Sequence, residues 1–253
     1  MIFTEGILDP LDPVVPSLTE RAVQVIRRAI TTGDLIPGKL YSVHQLSKDL
    51  GVSRSPVRDA LLRLEETGMV RFERNRGFRI VLPGARELAE IFGVRLALEV
   101  PAAAMAARRA TDEQIAAMSE ELESMRAAAA DDDEPTFMLH DQQFHSGLLA
   151  AAGNEYARGV IDNIRIATRM VGTSTVKNQR SLAEVILEHE PILEAVAKRD
   201  ERAAISAMSR HLRHTGEMLV QRTSSPQQDP IDLVSLWWLF VPEGGLSGDA
   251  PGG

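Results

Sequence analysis

Cysteine is absent from the 253-residue sequence, which excludes a disulfide framework and a thiolate metal site. Long apolar runs are also lacking, since the run over residues 236–241 is far shorter than the roughly 20 residues that span a bilayer. The first residues include Glu5, Asp9 and Asp12 instead of a basic segment followed by an apolar one, so we predict no signal peptide. We therefore expect a cytoplasmic protein without a membrane partner.

Aromatic residues are scarce, at 4% of the chain, whereas alanine is abundant over residues 96–130. Alanine has the highest helix propensity, so the middle of the chain is predicted to be helical. The net charge of −8 is unevenly distributed: residues 17–82 hold 12 Lys+Arg and 7 Asp+Glu (+5), and residues 84–253 hold 16 and 26 (−10). A basic module joined to an acidic one is typical of a DNA-binding domain with a separate ligand or partner domain.

The basic module is predicted to contain three short helices followed by a β-hairpin. Apolar residues recur at helical spacing over residues 18–30, 43–50 and 55–66. Ser55 is the predicted N-cap of the third helix, with Pro56 in its first turn. Apolar and polar residues then alternate on both sides of a turn at residues 74–77, which predicts two strands. This order of elements predicts a winged helix-turn-helix.

Four regions follow from these patterns. They are a flexible arm (residues 1–16), the winged helix-turn-helix (17–83), an all-helical domain (84–222) and a C-terminal tail (223–253). Breaks in the helical pattern divide the third region into about six helices, and the tail holds one short predicted element over residues 231–240. The predicted fold class is mostly α, with an N-terminal winged helix-turn-helix and a C-terminal all-α bundle.

The predicted recognition helix begins with short polar and basic side chains, and the wing tip adds two arginines beside a glycine. The N-terminal end of such a helix enters the major groove, and its free N–H groups also favour phosphate. The wing is suited to backbone or minor-groove contact. The predicted DNA-binding residues are Ser53, Arg54, Ser55, Arg58, Arg74, Arg76 and Gly77. From the pattern alone, the alternative is a solvated basic helix and hairpin in an unrelated small domain.

Five of the six histidines lie in the predicted helical domain. Asp141 and His145 are spaced i, i+4 and project from the same helix face, and His189 and His211 belong to the last two helices of that domain. Three imidazoles and a carboxylate suit a divalent transition metal such as Zn²⁺, Ni²⁺ or Mn²⁺, and a helix bundle can gather such ligands from separate helices. On spacing alone, surface or satisfied core histidines are the more frequent alternative.

Residues 33–70 and the strand, wing and strand after them resemble the N-terminal domain of the GntR superfamily of bacterial regulators. The matching positions include Pro37-Gly38, Leu46, Gly51-Val52-Ser53-Arg54, Pro56-Val57-Arg58, Ala60-Leu61, Leu64 and Gly68. The resemblance implies that Arg54, Ser55 and Arg58 contact an operator and that the wing glycine lies at the DNA. His44 departs from the pattern, since some members carry a phosphate-contacting arginine there.

Residues 141–154, DQQFHSGLLAAAGN, resemble the Asp-x-x-Phe-His signature of the all-helical FCD ligand-binding domain of the FadR branch. Residues 188–215 resemble the last two helices of that domain, and the likeness covers about residues 86–222. It implies that Asp141, His145, His189 and His211 bind a metal, although not every FCD domain uses one.

The FCD resemblance also implies an effector, a small carboxylate such as a sugar acid, lactate or a dicarboxylate that completes the coordination of the metal. A carboxylate favours a guanidinium fork, and Arg95, Arg165 and Arg169 are the candidates. For each arginine, the alternative is a surface residue in a salt bridge.

The sequence therefore predicts a DNA-binding transcriptional regulator, a repressor rather than an enzyme, whose helical domain binds a metal and a small carboxylate. We expect a homodimer on a palindromic double-stranded operator. One alternative is a metal-dependent hydrolase, because a three-histidine metal with an open position can activate water. The sequence has no His-Glu-x-x-His pair, nucleophile elbow or phosphate loop to support it. The other alternative is an architectural DNA-binding protein without ligand control.

Overall fold

The structure is a computed structural model of the chain, and it describes residues 16–172, 181–224 and 231–237. The chain divides into two compact units, Met1–Val81 and Leu82–Gly253. The division falls two residues before the boundary predicted after residue 83. Except for Pro16, the predicted arm lies outside the described residues, as does most of the predicted tail.

Three helices and a small sheet make the N-terminal unit. The helices are α1 (Leu18–Thr31), α2 (Val43–Asp49) and α3 (Arg54–Glu66), and the strands are β1 (Leu40–Tyr41), β2 (Val70–Glu73) and β3 (Gly77–Ile80). The strands are antiparallel in the order β1-β3-β2. A capping box starts α1, because Ser17 and Glu20 each accept a hydrogen bond from the other's backbone N–H.

The inner face of α3 forms much of the core of this unit. Val57, Ala60, Leu61 and Leu64 recur at helical spacing and are fully buried. Burial stabilises each of the two leucines by about 1.5–3 kcal/mol relative to an exposed position. This one-sided burial fixes the rotation of α3 about its axis and leaves the opposite face in solvent.

The start of α3 differs from the prediction. The N-cap is Ser53 and not Ser55, so the helix begins two residues earlier than expected. Pro56 therefore occupies the third helical position. Its missing N–H costs no intrahelical hydrogen bond there, because the first-turn N–H groups of a helix have no acceptor. A proline in the first turn is thus compatible with either start.

The sequence does not predict β1, whose Leu40 and Tyr41 pair with Arg79 and Phe78 of β3. Gly77 opens β3 with a φ of 128°, and a Cβ atom there would lie 2.0 Å from the Tyr41 carbonyl oxygen. Glycine is therefore required for this close approach of the two backbones. The predicted hairpin is present as β2 and β3, within a three-stranded sheet.

Six long helices and one short helix are described in the C-terminal unit. They are α4 (Ala85–Arg109), α5 (Asp112–Ala130), α6 (Glu134–Ala151), α7 (Glu155–Gly172), α8 (Leu182–Ala197), α9 (Glu201–Thr223) and α10 (Leu233–Trp237). Side chains of Thr111, Asp133, Ser181 and Asp200 cap four of the helix starts. The predicted fold class is confirmed. Within the described ranges, no helix combines the length and hydropathy that crossing a membrane requires.

Helix α4 packs along α9, and α5 packs along α6. Phe92, Leu96, Phe144 and Leu148 are fully buried in the core of this unit. Alanines line much of α4, which keeps the side chains small where α4 meets its neighbours. A cluster of buried polar and charged side chains lies within this apolar frame.

Helix α10 covers part of the same core. Trp237 is 2% exposed, its Nε1 donates a hydrogen bond to the Ala89 carbonyl oxygen at 2.8 Å, and its ring centroid lies 6.4 Å from that of Phe92. Gly216 makes room for the two rings, because a Cβ atom there would lie 2.8 Å from both. The predicted short element in the tail therefore packs against the helical unit. Trp238 lies outside the described residues.

Candidate DNA-binding surface and metal centre

The outward face of α3 carries the predicted recognition side chains. Ser53, Arg54, Ser55 and Arg58 are all exposed at or near the N-terminal end of the helix. The guanidinium carbon of Arg58 lies 5.6 Å from the ring centroid of Phe72 on β2, a distance at which a cation–π contact is favourable. The surface therefore offers two guanidinium groups and two hydroxyl groups beside the free N–H groups of the helix start.

The wing tip adds a second basic element. Arg74 and Arg76 are exposed in the turn between β2 and β3, and Arg76 Nη1 lies 3.3 Å from a Glu73 carboxylate oxygen. Asn75 between them has a φ of 58°, a left-handed conformation that asparagine tolerates better than most residues. Gly77 is half-buried, and its fit against β1 gives it a role in shaping the wing.

One contact on this surface does not follow from sequence spacing. Arg54 donates hydrogen bonds to His44 Nδ1 from its Nε at 3.2 Å and from its Nη2 at 2.9 Å. His44 is exposed on α2, ten residues before Arg54. The residue that departs from the family pattern thus contacts the first residue of the recognition helix.

The four predicted metal ligands lie together in the helical unit. One ring nitrogen from each of His145, His189 and His211 lies within 4.8 Å of the others, and all three residues are buried. His189 Nε2 is 3.2 Å from His145 Nε2 and 3.0 Å from Asp141 Oδ1. Helices α6, α8 and α9 therefore bring to one point residues that are far apart in the chain.

Each of the three imidazoles is held through its other nitrogen. His145 Nδ1 contacts a Glu99 carboxylate oxygen, His189 Nδ1 lies 2.8 Å from the Val185 carbonyl oxygen, and His211 Nδ1 lies 2.9 Å from Glu188 Oε2. Carbonyl and carboxylate oxygens only accept, so each Nδ1 carries a hydrogen and each neutral ring keeps a lone pair on Nε2. Orientation of a histidine ligand by such a partner is a general feature of metal sites.

This arrangement fits a cation. Burial, followed by the positive charge of Arg165, lowers the pKa of His145 to about 4, so its ring is neutral near pH 7. The Nε2 atoms of His145 and His189 converge with the Asp141 carboxylate. Two ring nitrogens and a carboxylate oxygen gathered in this way can share one cation. Nitrogen ligands and a carboxylate oxygen suit Zn²⁺ and its neighbours in the first transition series.

A buried network of charges adjoins these ligands. Arg95 Nε donates to Glu99 Oε1 at 2.6 Å, Arg165 Nη2 donates to Asp141 Oδ2, and Arg165 Nη1 lies 3.7 Å from Glu99 Oε2. Burial alone would raise the pKa of both carboxyl groups. Burial is the largest single influence, but Arg95, His145 and Arg165 together outweigh it at Glu99. Arg165 and the neighbouring histidines together outweigh it at Asp141, so both pKa values lie below their usual range and both groups stay ionised.

Two predicted effector residues, Arg95 and Arg165, belong to this network and are 3% exposed. Arg95 Nη2 and Arg165 Nε and Nη1 are buried without a hydrogen-bond partner among the described residues. A buried N–H group left unpaired costs about 1–3 kcal/mol, so these groups favour an additional acceptor. The third candidate, Arg169, lies in α7, but its side chain is outside what the structure describes.

Sequence reasoning missed Glu99 and Glu188. Glu99 on α4 is fully buried between two arginines and His145, and Glu188 on α8 contacts both His211 and His214. Glu188 directly precedes the predicted ligand His189, and a search for acidic residues next to ligand histidines could have found it. No local spacing indicates Glu99, which lies 46 residues from His145.

The winged helix-turn-helix with an exposed basic recognition face defines a DNA-binding regulator. Comparison with known proteins shows the family to which it belongs. The family described as bacterial regulatory proteins, gntR family, matches residues 18–80, and the FCD domain matches residues 90–214. The chain therefore belongs to the GntR family and carries an FCD domain. It is a DNA-binding transcriptional regulator and not an enzyme.

Known regulators are similar to this chain over half of its length or more. The HTH-type transcriptional repressor RspR of Escherichia coli K12 is 27% identical over 214 residues, covering 85% of this chain and 92% of RspR. A regulator in the TAR-I ttuE-ttuC' intergenic region of Agrobacterium vitis is 35% identical over 134 residues, covering 52% of this chain and 78% of the relative. The solved structure of E. coli McbR/YncC superposes with a TM-score of 0.73 at 22% identity, over 83% of this chain and all of that one. The similarity to this solved structure shows that the two chains share a fold.

Proposed function

We propose that this regulator is a repressor whose operator binding is controlled by a small carboxylate effector bound beside a divalent metal in the helical unit. The observation that carries the proposal is the convergence of three imidazoles and Asp141 next to two buried guanidinium groups with unpaired N–H groups. The relative RspR is named a transcriptional repressor, which supports repression as the mode of regulation.

The metal would be held by Asp141, His145, His189 and His211, as Zn²⁺, Ni²⁺ or Mn²⁺. When bound, it would supply a Lewis-acidic position for an anionic ligand. The protein's own contribution is the set of partners that fixes the rings. The Glu99, Val185 and Glu188 oxygens accept from the three Nδ1 groups and so direct the Nε2 lone pairs to one point.

The charge balance of the site supports an anionic effector. The positive charges of Arg95 and Arg165 balance the negative charges of Glu99 and Asp141, and the three imidazoles are taken as neutral metal ligands. A divalent ion would therefore leave a net positive charge at the site, which the Glu188 carboxylate beside His211 offsets only in part. A buried charge is costly without a counter-charge. A carboxylate near the ion could also accept hydrogen bonds from the unpaired Nη groups of the two arginines.

Control of DNA binding requires that the effector bind the DNA-competent and DNA-incompetent states with different affinities. Arg95 and Glu99 lie on α4, which begins at Ala85, and only the four residues 81–84 separate it from the end of β3 of the wing at Ile80. A carboxylate that engages Arg95 would bias the position of α4. This short connection along the chain is a direct route from the effector to the DNA-binding unit.

The first test measures metal content and effector response together. We expect protein purified without chelator to contain one divalent metal per chain by elemental analysis. We expect His189→Ala to contain much less, because it removes a ligand from the centre of the cluster. A panel of small carboxylates, screened by thermal shift, should raise the Tm of wild type more than that of the variant, since a ligand stabilises the state it binds.

The matched DNA measurement uses a duplex selected by the wild-type protein from a random-sequence library. Without effector, His189→Ala should bind this duplex as wild type does, but its binding should respond less to the stabilising carboxylate. Metal-free protein that cannot be reloaded, or a normal effector response in His189→Ala, would contradict the proposal. Either result would leave the assignment as a DNA-binding regulator intact.

A further inference from the structure

The exposed pair of His44 and Arg54 links two helices of the DNA-binding unit. His44 lies in the first turn of α2, and Arg54 is the first residue of α3. Two N–H groups of one guanidinium converge on a single ring nitrogen, at 3.2 and 2.9 Å. A long, exposed arginine side chain has many rotamers, so a contact with two donors is a substantial restriction on where its charge lies.

The chemistry of the contact fixes the tautomer of the histidine. Arginine donates and never accepts, so Nδ1 of His44 must carry a lone pair. The neutral ring then carries its hydrogen on Nε2. The exposed ring thus accepts from Arg54 on one side and keeps a hydrogen-bond donor on the other.

We propose that His44 is a positioning residue for DNA recognition: its Nδ1 holds the Arg54 guanidinium at the N-terminal end of the recognition helix. The remaining N–H groups of Arg54 are left for a base edge or a phosphate. This inference depends on the DNA-binding activity of the chain and not on the metal or the effector.

The arrangement makes sequence discrimination sensitive to pH. The charged groups that face the ring are Arg54 from α3 and Lys48 from α2 itself. The positive charge of Arg54 first, then some loss of hydration and the charge of Lys48, lower the pKa of His44, so the ring is neutral and accepts near pH 7. Protonation at lower pH removes the acceptor and places two positive charges side by side. Arg54 is then released, while the added charge strengthens attraction to any phosphate backbone.

Three variants of the full chain separate positioning from other roles of His44. Asparagine places an acceptor near the position of Nδ1, glutamine places its amide nearer the position of Nε2, and alanine removes both. The readout is the affinity for a duplex selected by wild type from a random-sequence library, divided by the affinity for an unselected duplex of equal length. We expect His44→Ala and His44→Gln to lower this ratio by about fivefold, the effect of one net hydrogen bond, and His44→Asn to retain it.

A double-mutant cycle with Arg54→Ala distinguishes positioning of Arg54 from a purely structural role of His44. In the Arg54→Ala background, His44→Ala should have no further effect on the ratio, because the group it positions is gone. Lowering the pH should reduce the ratio for wild type but not for His44→Asn. Since His44 is exposed, the Tm of each variant should match wild type.

Three outcomes would overturn the proposal. One is an unchanged ratio in His44→Ala. The second is equal loss in His44→Asn and His44→Ala, which would assign the effect to the Nε2–H group instead. The third is an effect of His44→Ala that is as large without Arg54 as with it.

Discussion

Arg58 and Arg76 both place a guanidinium on the DNA-binding unit, but their surroundings differ. Arg58 lies on the outward face of the recognition helix beside Phe72, where a side chain can reach base edges in the major groove. Arg76 lies in the wing turn and pairs with Glu73. From this position we expect it to contact the DNA backbone. We expect Arg58→Ala to weaken binding to the selected duplex by about 1–3 kcal/mol and to relax base preference.

For Arg76→Ala we expect weaker binding to selected and unselected duplexes alike. The slope of log affinity against log salt concentration should also become shallower by about 1. Arg202→Ala, on an exposed position of α9 in the other unit, controls for the loss of one positive charge. Fluorescence anisotropy titrations at several salt concentrations measure all three variants. If Arg58→Ala and Arg76→Ala both bind as wild type does, this assignment of the DNA-binding surface fails.

At the scale of single residues, the sequence predicts the candidate ligand side chains well. It predicts the partners that orient those side chains less well. Asp141, His145, His189 and His211 do lie together, although metal binding itself stays a prediction. Among the partners that orient the rings, Glu99 is not predictable from local spacing, because α4 and α6 meet only in the folded bundle. His44 stands out in the sequence only as a departure from a pattern, and its contact with Arg54 needs coordinates.

Among the elements, long and strongly periodic helices are the best predicted. Capping side chains such as Thr111, Ser181 and Asp200 mark helix starts locally, so the breaks between helices are readable from the sequence. Strand β1 is only two residues long, and Leu40 pairs with a residue far along the chain, Arg79. Neither alternation nor turn residues can indicate a strand of that length. Its existence depends on tertiary pairing.

Helix α10 shows how a short element can depend on one side chain. Trp237 supplies a buried ring and a hydrogen bond to the Ala89 carbonyl oxygen, whereas Val234 on the same helix is 68% exposed. We expect Trp237→Ala to lower the free energy of unfolding of the helical unit by about 3 kcal/mol, because it opens a cavity beside Phe92. Trp237→Phe should cost less than Trp237→Ala, since it keeps one aromatic ring and loses the hydrogen bond and the volume of the second indole ring.

The matched control for α10 is Val234→Ala, which should change stability by less than about 0.5 kcal/mol because the side chain is in solvent. Urea unfolding followed by circular dichroism measures all three variants. Equal stabilities of Trp237→Ala and Val234→Ala would contradict the packing of α10 on the bundle and would assign the tail no part in the stability of this unit.

The whole molecule combines a basic unit and an acidic one, and this constrains how it can select DNA. Residues 17–82 carry +5, but the chain as a whole carries −8. The acidic part repels the phosphate backbone, so sequence-independent attraction is weaker than in a uniformly basic protein. Specific contacts must supply a larger share of the binding free energy. One recognition helix offers only a few such contacts, among them Arg54 and Arg58.

Two copies related by a twofold axis would double these contacts and require a palindromic site. We therefore expect a homodimer, with a mass in light scattering near twice the 27.7 kDa of one chain, at micromolar concentration. Duplexes selected from a random library should contain two inverted half-sites, and a duplex with one half-site scrambled should bind much more weakly. A monomer mass with and without the selected duplex, together with selected sequences that lack inverted symmetry, would contradict the dimer. Recognition by one winged helix would then have to rely on contacts beyond α3 and the wing.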